Sequence, residues 1–214
     1  LSVSNAEVWN NIRTVKKGIK WMFDSTAPLS INWSPSISKF TWMFNFLRNI
    51  PNYEKNTVQT IKLALDSRNA YEEILKEEDI KYDRINKGIL HIYSDPLEFN
   101  SARTANKLYK DNGLDRREVT VEEIRSIEKT IDTDKLLGGF YTSSDYTGDI
   151  FKFTTQLAKV LEKKYNVKFY YNHEYKSHDE TFIYTDQQKF SYNAVVICKG
   201  ANSGLGVYPI KGYS

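Results

Sequence analysis

The sequence of 214 residues is notable first for what it lacks. Its single cysteine, Cys198, excludes an internal disulfide and is typical of a protein in a reducing compartment. No apolar run approaches the ~20 residues that a membrane-spanning helix needs. No signal peptide is visible, but the first residue is Leu1, so we expect the true N-terminus to be missing and the chain to be an internal fragment of a larger protein.

Two further absences concern ligands. The net charge is only +3 and the basic residues are scattered, so no nucleic-acid-binding surface is predicted. The motif G-x-G-x-x-G does not occur, and Gly200 and Gly204 do not replace it because no helix is evident after them. We therefore expect that the chain by itself cannot build a complete dinucleotide site. Hydrophobic residues make up 40% and charged residues 27%, as in an ordinary soluble domain.

The first 79 residues have the apolar spacing of helices. An amphipathic helix is predicted over 6–23. A second helix starts at Ser34-Pro35 and ends near Ile50. Its many large apolar residues, from Phe40 to Leu47, predict burial on much of its surface, and core packing explains them better than a pocket lining. A third helix is predicted from Tyr53 to Glu77.

The pattern becomes mixed after residue 80. Strands Tyr82–Ile85 and Ile89–Tyr93 flank Asn-Lys-Gly, which predicts a hairpin because Asn and Gly favour positive φ. Thr120 and Glu123 have the spacing of a capping box. The remaining predicted elements of this region are a helix from Asp95-Pro96 to Gly113, strands over 116–119 and 138–142, a helix Ile150–Tyr165 after Asp149, a strand Val167–Tyr171, a hairpin of Tyr175–His178 with Thr181–Tyr184, and a strand Phe190–Tyr192.

The segment Ala194–Cys198 is apolar at every position, which predicts a parallel strand that is buried on both faces. It leads to Gly200. Ligands of open α/β sheets bind beyond the carboxyl ends of strands, where glycine lets a cofactor approach the backbone. The alternative is a plain buried strand followed by a loop.

Other chemistry-bearing residues have simpler interpretations. His173 and His178 are five apart in strand-like sequence and would point to opposite faces, so no metal site is predicted there or at His91. Cys198 is expected to be an inert core thiol. Carboxylates at Asp145, Asp149 and Glu174 are explained by solvated turns and a helix cap, and no catalytic residue is identified.

Several short segments, taken in order, resemble the D-amino-acid dehydrogenase family, within the superfamily of glycine oxidase, sarcosine oxidase and D-amino-acid oxidase. Leu1–Trp9 is similar to the segment that follows that family's flavin-contacting turn. The other similar segments are Lys20-Trp21-Met22, Ala27-Pro28-Leu29, Gly88–Tyr93, Gly139-Phe140-Tyr141, Thr147-Gly148-Asp149, Phe153-Thr154, Ala194–Gly200 and Tyr208–Ser214.

The resemblance implies a mixed α/β and α+β fold. One part belongs to an FAD-binding Rossmann-like domain and another to a substrate domain with an antiparallel sheet. It implies four segments, namely 1–79 and 146–206 in the FAD-binding domain, 80–145 in the substrate domain, and 207–214 at the start of a second substrate-domain segment. The glycine fingerprint would lie upstream of Leu1, and the basic residue for the substrate carboxylate downstream of Ser214.

The resemblance also implies a reaction. A D-amino acid would be oxidised by hydride transfer from Cα to FAD, and the imino acid would hydrolyse to a 2-oxo acid and ammonia. Tyr175, Cys198, Gly200 and Ala201 would contact the adenosine and pyrophosphate of FAD. Electrons would pass to a membrane carrier, so the protein is expected in the cytoplasm or at the inner face of the cell membrane. The alternatives are an amine oxidase of the glycine, sarcosine or proline type and a non-catalytic interaction module.

Overall fold

The computed structural model describes residues 2–21 and 36–198, and the chain divides into two compact units. The first unit comprises Leu1–Asn32 with Phe46–Val160, and the second comprises Trp33–Asn45 with Leu161–Ser214. The four segments expected from the resemblance stay a prediction.

The elements are the helices α1 (Ile12–Trp21), α2 (Ile37–Arg48), α3 (Tyr53–Glu77), α4 (Pro96–Asp111), α5 (Val121–Ile127) and α6 (Ile150–Tyr165), and the strands β1 (Ile89–Tyr93), β2 (Arg117–Val119), β3 (Gly138–Thr142), β4 (Tyr175–His178), β5 (Phe182–Thr185) and β6 (Lys189–Ser191).

The helix α3 and the two capped helices after it confirm the local predictions. The helix α3 has the predicted bounds. Asp95 caps α4, since its Oδ1 accepts from the backbone N–H of Leu97 at 2.8 Å and of Glu98 at 2.9 Å. At α5, Thr120 and Glu123 form the predicted capping box. Helix caps of this kind depend on neighbouring residues alone, so the local sequence is enough to predict them.

The sheet of the first unit is antiparallel with the order β1–β3–β2. The predicted hairpin over 82–93 is therefore wrong, because β1 pairs with β3 instead. Asp83 has a φ of 54°, which a regular strand does not allow, and Ile85 forms an isolated bridge with Thr147. Gly139 has to be a glycine, since a Cβ there would lie 2.5 Å from the carbonyl oxygen of His91.

Buried side chains of the first unit form three clusters that pack helices against this sheet and its flanking turns. Two 3-10 turns, Val3–Asn5 and Ile50–Asn52, precede α1 and α3 respectively. The cluster around Val3 joins the first turn to α3 and α4. The three clusters are Val3, Ile61, Ala105, Tyr109 and Leu114; Ile80, Tyr82 and Phe153; and Phe99, Ala102 and Phe140.

Two predictions about the early helices need correction. The helix predicted over 6–23 begins at Ile12, where Asn11 accepts from the N–H of Thr14 at 2.9 Å; residues 22–23 and Ser34-Pro35 lie outside the described residues. The prediction that α2 is largely buried is wrong, because Phe40 and Phe44 are exposed. A high apolar content indicates that burial would stabilise a helix. It does not determine whether another element packs against that helix.

The second unit has an antiparallel sheet with the order β4–β5–β6, which confirms the predicted hairpin and the strand after it. The strands predicted over Val167–Tyr171 and Ala194–Cys198 are wrong, since neither segment is a strand. A fully buried strand needs a neighbour on each side, and within residues 36–198 no strand pairs with Ala194–Cys198. Val196 is 84% exposed as a result.

The mixed α and β fold class is confirmed. Both sheets that the structure describes in residues 36–198 are antiparallel. Among the helices of residues 2–21 and 36–198, none has the length and apolarity that crossing a membrane requires.

Candidate functional site

Two of the four residues predicted to contact a cofactor, Tyr175 and Cys198, lie in the described part of the chain. Tyr175 begins β4, and its hydroxyl lies 2.6 Å from Nδ1 of His178. Cys198 is exposed, so the expectation of a core thiol is wrong. The reason is the missing strand pairing at Ala194–Cys198. Gly200 and Ala201 lie outside the described residues. Flavin contact by these four residues stays a prediction.

The structure draws attention instead to Asp145 of the first unit. Its carboxylate is buried, with the residue 1% exposed. It accepts hydrogen bonds from the backbone N–H of Val3 at 3.1 Å and of Ser4 at 3.0 Å. The hydroxyl of Ser2 donates to it at 3.0 Å. The expectation of a solvated turn is therefore wrong for Asp145.

Asp145 acts as an anchor for the start of the chain. It follows the end of β3, and its partners are more than 140 positions away in sequence, so no local pattern reveals the contact. Arg68 of α3 adds a cation at 3.7 Å. Charge-assisted bonds of this kind are the stronger ones in proteins. They hold the 3-10 turn Val3–Asn5 beside the sheet. Asp149, by contrast, caps α6 as predicted, accepting from the N–H of Lys152 at 3.0 Å.

His91 lies in the middle of β1 and contacts the anchored turn. Its Nε2 is 2.9 Å from the hydroxyl oxygen of Ser4. Burial is the main cause that lowers the pKa of His91, and the positive charge of Arg116 lowers it further, while Asp145 opposes the change. The imidazole is therefore neutral at pH 7 and has one nitrogen to accept and one to donate.

Arg116 is the least expected residue of this region. It immediately precedes β2 and is 3% exposed. Its guanidinium lies over the ring of Phe140 at 4.4 Å and within 5.2 Å of the ring centre of Tyr109. Its Nε has no hydrogen-bond partner, and its Nη1 has a 3.5 Å contact with Oδ1 of Asn106. Within the described residues, no carboxylate forms an ion pair with Arg116.

A polar cavity of about 270 Å³ opens beside these residues. The residues that matter for its chemistry come from the anchored turn, the segment after it, β1 and the approach to β2. They are Ser4, Glu7, Trp9, His91, Tyr93 and Arg116. Ligand pockets for drug-sized molecules start at about 300 Å³, so this volume suits a small molecule.

Glu7 supplies the negative charge in the cavity wall. Its Oε1 accepts from the hydroxyl of Tyr53 at 2.5 Å, and its backbone N–H donates to the hydroxyl of Tyr109 at 2.7 Å. Burial raises the pKa of Tyr109 to about 12, so this phenol is neutral at physiological pH. Burial and the bond to Glu7 raise the pKa of Tyr53 as well. The wall thus combines one buried cation, one carboxylate and neutral hydrogen-bonding groups.

Sequence reasoning did not find this site. The sequence predicts Arg116 at the start of a short strand and no metal site at His91, but it connects neither residue to the other or to Ser4. His173 and His178 belong to the second unit, and no group of three or more possible metal ligands occurs in the residues that the structure describes.

Comparison with known proteins places the chain among flavoenzymes. The family described as DAO, FAD dependent oxidoreductase, matches residues 34–214. The chain is similar to D-amino acid dehydrogenase 3 of Mesorhizobium japonicum, with 40% identity over all of this chain and 55% of that protein. It is also similar to D-amino acid dehydrogenase of Dechloromonas aromatica, with 32% identity over all of this chain and 56% of that protein. It thus spans about half the length of the curated relatives it matches.

Solved structures show the same fold at lower identity. L-proline dehydrogenase from P. horikoshii has a TM-score of 0.61 and 19% identity, over 68% of this chain and 40% of that one. Glycine oxidase from Geobacillus kaustophilus has a TM-score of 0.56 and 21% identity, over 66% of this chain and 40% of that one. At these identities the likeness supports the fold and not a shared substrate.

Proposed function

This chain belongs to the DAO family of FAD-dependent oxidoreductases, and from that premise we propose that the whole protein oxidises D-amino acids to 2-oxo acids and ammonia. The observation that carries the proposal is the similarity along the entire chain to two proteins named D-amino acid dehydrogenase. The order of the similar segments along the sequence supports the same family.

Membership of the family implies that the cofactor is FAD. The structure does not show which residues of this chain contact it. When bound, FAD supplies the group that accepts electrons from the substrate. Tyr175 and Cys198 are both exposed in the described part of the chain, and their contact with FAD stays a prediction. The G-x-G-x-x-G turn, whose amides bind pyrophosphate in dinucleotide sites, is absent from the sequence.

We therefore propose that the 214-residue chain alone does not retain FAD. The test is to purify the chain with FAD supplied during expression and to measure visible flavin absorbance against protein concentration. Negligible flavin per chain is the expected result. Close to one flavin per chain would contradict the proposal and would show that other backbone amides hold the pyrophosphate.

What the described residues do contribute is the support of a polar cavity. Asp145 fixes the turn Val3–Asn5, and that turn positions Ser4 against His91. The apolar clusters under β1 and β3 keep these groups in place. A rigid support of this kind orients a small polar substrate and limits the water around it.

We further propose that the electron acceptor is a membrane carrier and not oxygen, with the protein in the cytoplasm or at the inner membrane face. The test uses the full-length protein with D-alanine, an artificial dye and a peroxide assay. Dye reduction with little peroxide is expected. Stoichiometric peroxide would support the second candidate, an oxidase like the glycine oxidase whose fold the chain shares.

A further inference from the structure

The helix α1 carries several positive charges and no negative one. Its basic residues are Arg13, Lys16, Lys17 and Lys20, and no Asp or Glu occurs from residue 8 to residue 23. Lys17 forms an ion pair with Glu98 of α4. The other three basic side chains are exposed, and within residues 2–21 and 36–198 no carboxylate forms an ion pair with them. Three positive charges of α1 are therefore available to an anionic surface.

The same helix exposes apolar side chains. Of the six α-helices in the described part of the chain, α1 alone buries none of its residues. Ile12, Val15 and Ile19 have the spacing of one helix face. Ile12 is 55% exposed and Ile19 is 54% exposed. A single exposed apolar residue is common, but an apolar stripe along one helix indicates an interaction surface.

The ion pair with α4 determines the direction in which this stripe points. At 3.6 residues per turn, positions 12, 15 and 19 lie within about 40° of the side of the helix opposite Lys17. Because Lys17 contacts Glu98, the stripe lies on the side of α1 that is turned away from α4. The three remaining basic residues lie around the helix between Lys17 and the stripe. The outward side of α1 thus combines an apolar stripe with a basic border.

We propose that α1 lies in the surface of a membrane that contains anionic lipid, with its apolar stripe at the boundary between head groups and acyl chains. An apolar stripe beside a basic face is the pattern of helices that lie along a membrane surface. Lys and Arg place their alkyl stems on apolar surface while their charges reach the head groups. Trp21 ends α1, and Trp9, which precedes it, is 69% exposed. Tryptophan favours the boundary between membrane and water.

Other occupants fit this surface less well. If a second copy of the chain packed its own α1 here, the basic residues of the two helices would repel each other. A nucleic acid would pair with the cations but would leave Ile12 and Ile19 without an apolar partner. The inference deepens the proposed location at a membrane face and rests on it. No step of it depends on the proposed oxidation of D-amino acids.

The test measures how the flavin-loaded full-length protein sediments with lipid vesicles when no substrate is present. The vesicles contain phosphatidylcholine alone or equal parts of phosphatidylcholine and phosphatidylglycerol. The anionic vesicles should bind at least about tenfold more tightly, because each basic residue near an anionic surface strengthens binding about fivefold. No binding to the anionic vesicles, as when another part of the protein covers α1, would overturn the proposal, and so would equal affinity for both kinds of vesicle. Neither result bears on the oxidation of D-amino acids.

A pair of double variants tests whether the cations of α1 are responsible. Lys16→Gln with Lys20→Gln should weaken binding to the anionic vesicles by about tenfold or more, since two charges leave the surface of α1. The matched control is Lys107→Gln with Lys110→Gln, which removes two exposed positive charges from α4 of the same unit. The control should have little effect. Equal weakening by the two double variants would show that net charge alone drives binding and would overturn the assignment to α1.

A second pair of variants tests the apolar stripe. Ile19→Asp should weaken binding by about tenfold or more, the effect of removing one large apolar side chain from the buried surface. Ile150→Asp, at an exposed isoleucine of α6 in the first unit, introduces the same charge and should have little effect. Because both isoleucines are exposed, neither substitution removes a buried contact. Unchanged affinity of Ile19→Asp, or equal weakening by Ile150→Asp, would overturn the proposal.

Discussion

Two aspartates, one in each unit, accept the same kinds of hydrogen bond in opposite surroundings. Asp145 of the first unit accepts from two backbone N–H groups and a serine hydroxyl. Asp179 of the second accepts from the N–H groups of Thr181 and Phe182, both at 2.8 Å, and from the hydroxyl of Tyr184 at 2.6 Å. Asp145 is 1% exposed, whereas Asp179 is exposed to solvent. Burial, and not bond count, therefore distinguishes them.

The same contrast holds for the units as wholes. All buried apolar residues among those described belong to the first unit, and the described part of the second has none. The first unit therefore combines an apolar core with buried polar groups that need fixed partners. In the described part of the second unit the contacts are strand pairing, ring contacts such as that of Tyr170 with Phe190, and exposed side-chain bonds, and water and salt weaken the last of these.

The largest expected effect comes from truncating the buried aspartate. Asp145→Ala leaves the N–H groups of Val3 and Ser4 and the cation of Arg68 without their carboxylate, so we expect a loss of about 3–5 kcal/mol in the free energy of unfolding. Urea denaturation measures it. Asp179→Ala is the matched control and should have a much smaller effect because water replaces its bonds. An equal loss in the free energy of unfolding for Asp145→Ala and Asp179→Ala would contradict the conclusion that burial distinguishes the two aspartates.

The next effect concerns the exposed apolar segment of the second unit. Val196 is 84% exposed within Ala194–Cys198, and we expect the 214-residue chain to self-associate through this segment. Val196→Asp should weaken association by the free energy of burying one valine side chain, about 1.5–3 kcal/mol. Leu97→Asp, at an exposed leucine of α4 in the first unit, is the control. Light scattering that shows a monomer at high concentration would contradict the expectation.

The smallest effect is a pH dependence that belongs to the first unit. Because the folded pKa of His91 lies below its ordinary value of 6.5, the unfolded state binds more protons as the pH falls below about 6.5. Neutral His91 therefore makes its full contribution to the free energy of unfolding above that pH. This contribution decreases as the pH falls toward the pKa of His91 in the folded state. Arg116 favours the neutral form and Asp145 opposes it. His91→Gln should flatten the stability profile between pH 7 and 5, and a profile that is unchanged in the variant would exclude His91 as its source.

The elements that the sequence predicted best are those set by neighbouring residues. The bounds of α3 and α6, the cap at Asp95 and the capping box at Thr120 all follow from local spacing. The hairpin at 82–93 failed because the pairing of β1 depends on β3, about 50 positions away. Ala194–Cys198 failed because a buried strand depends on neighbouring strands that its own residues do not specify.

The candidate site could not be predicted for the same reason. Asp145 and its hydrogen-bond partners at the start of the chain are separated by more than 140 positions, and Ser4 and His91 by 87. Arg116 gives no local sign that it is buried between Phe140 and Tyr109. The resemblance to a family predicts the enzyme class of the chain. The cavity beside Ser4, His91 and Arg116 is formed by tertiary contacts, which the sequence does not show.

The proposed oxidation of D-amino acids is tested most directly by anaerobic reduction of the flavin in the full-length protein. D-alanine, L-alanine, glycine and L-proline are mixed separately with the flavin-loaded enzyme, and the visible flavin absorbance is followed. We predict that D-alanine bleaches the flavin and L-alanine does not. Bleaching by glycine or L-proline alone, or by L-alanine as readily as by D-alanine, would contradict the proposed function.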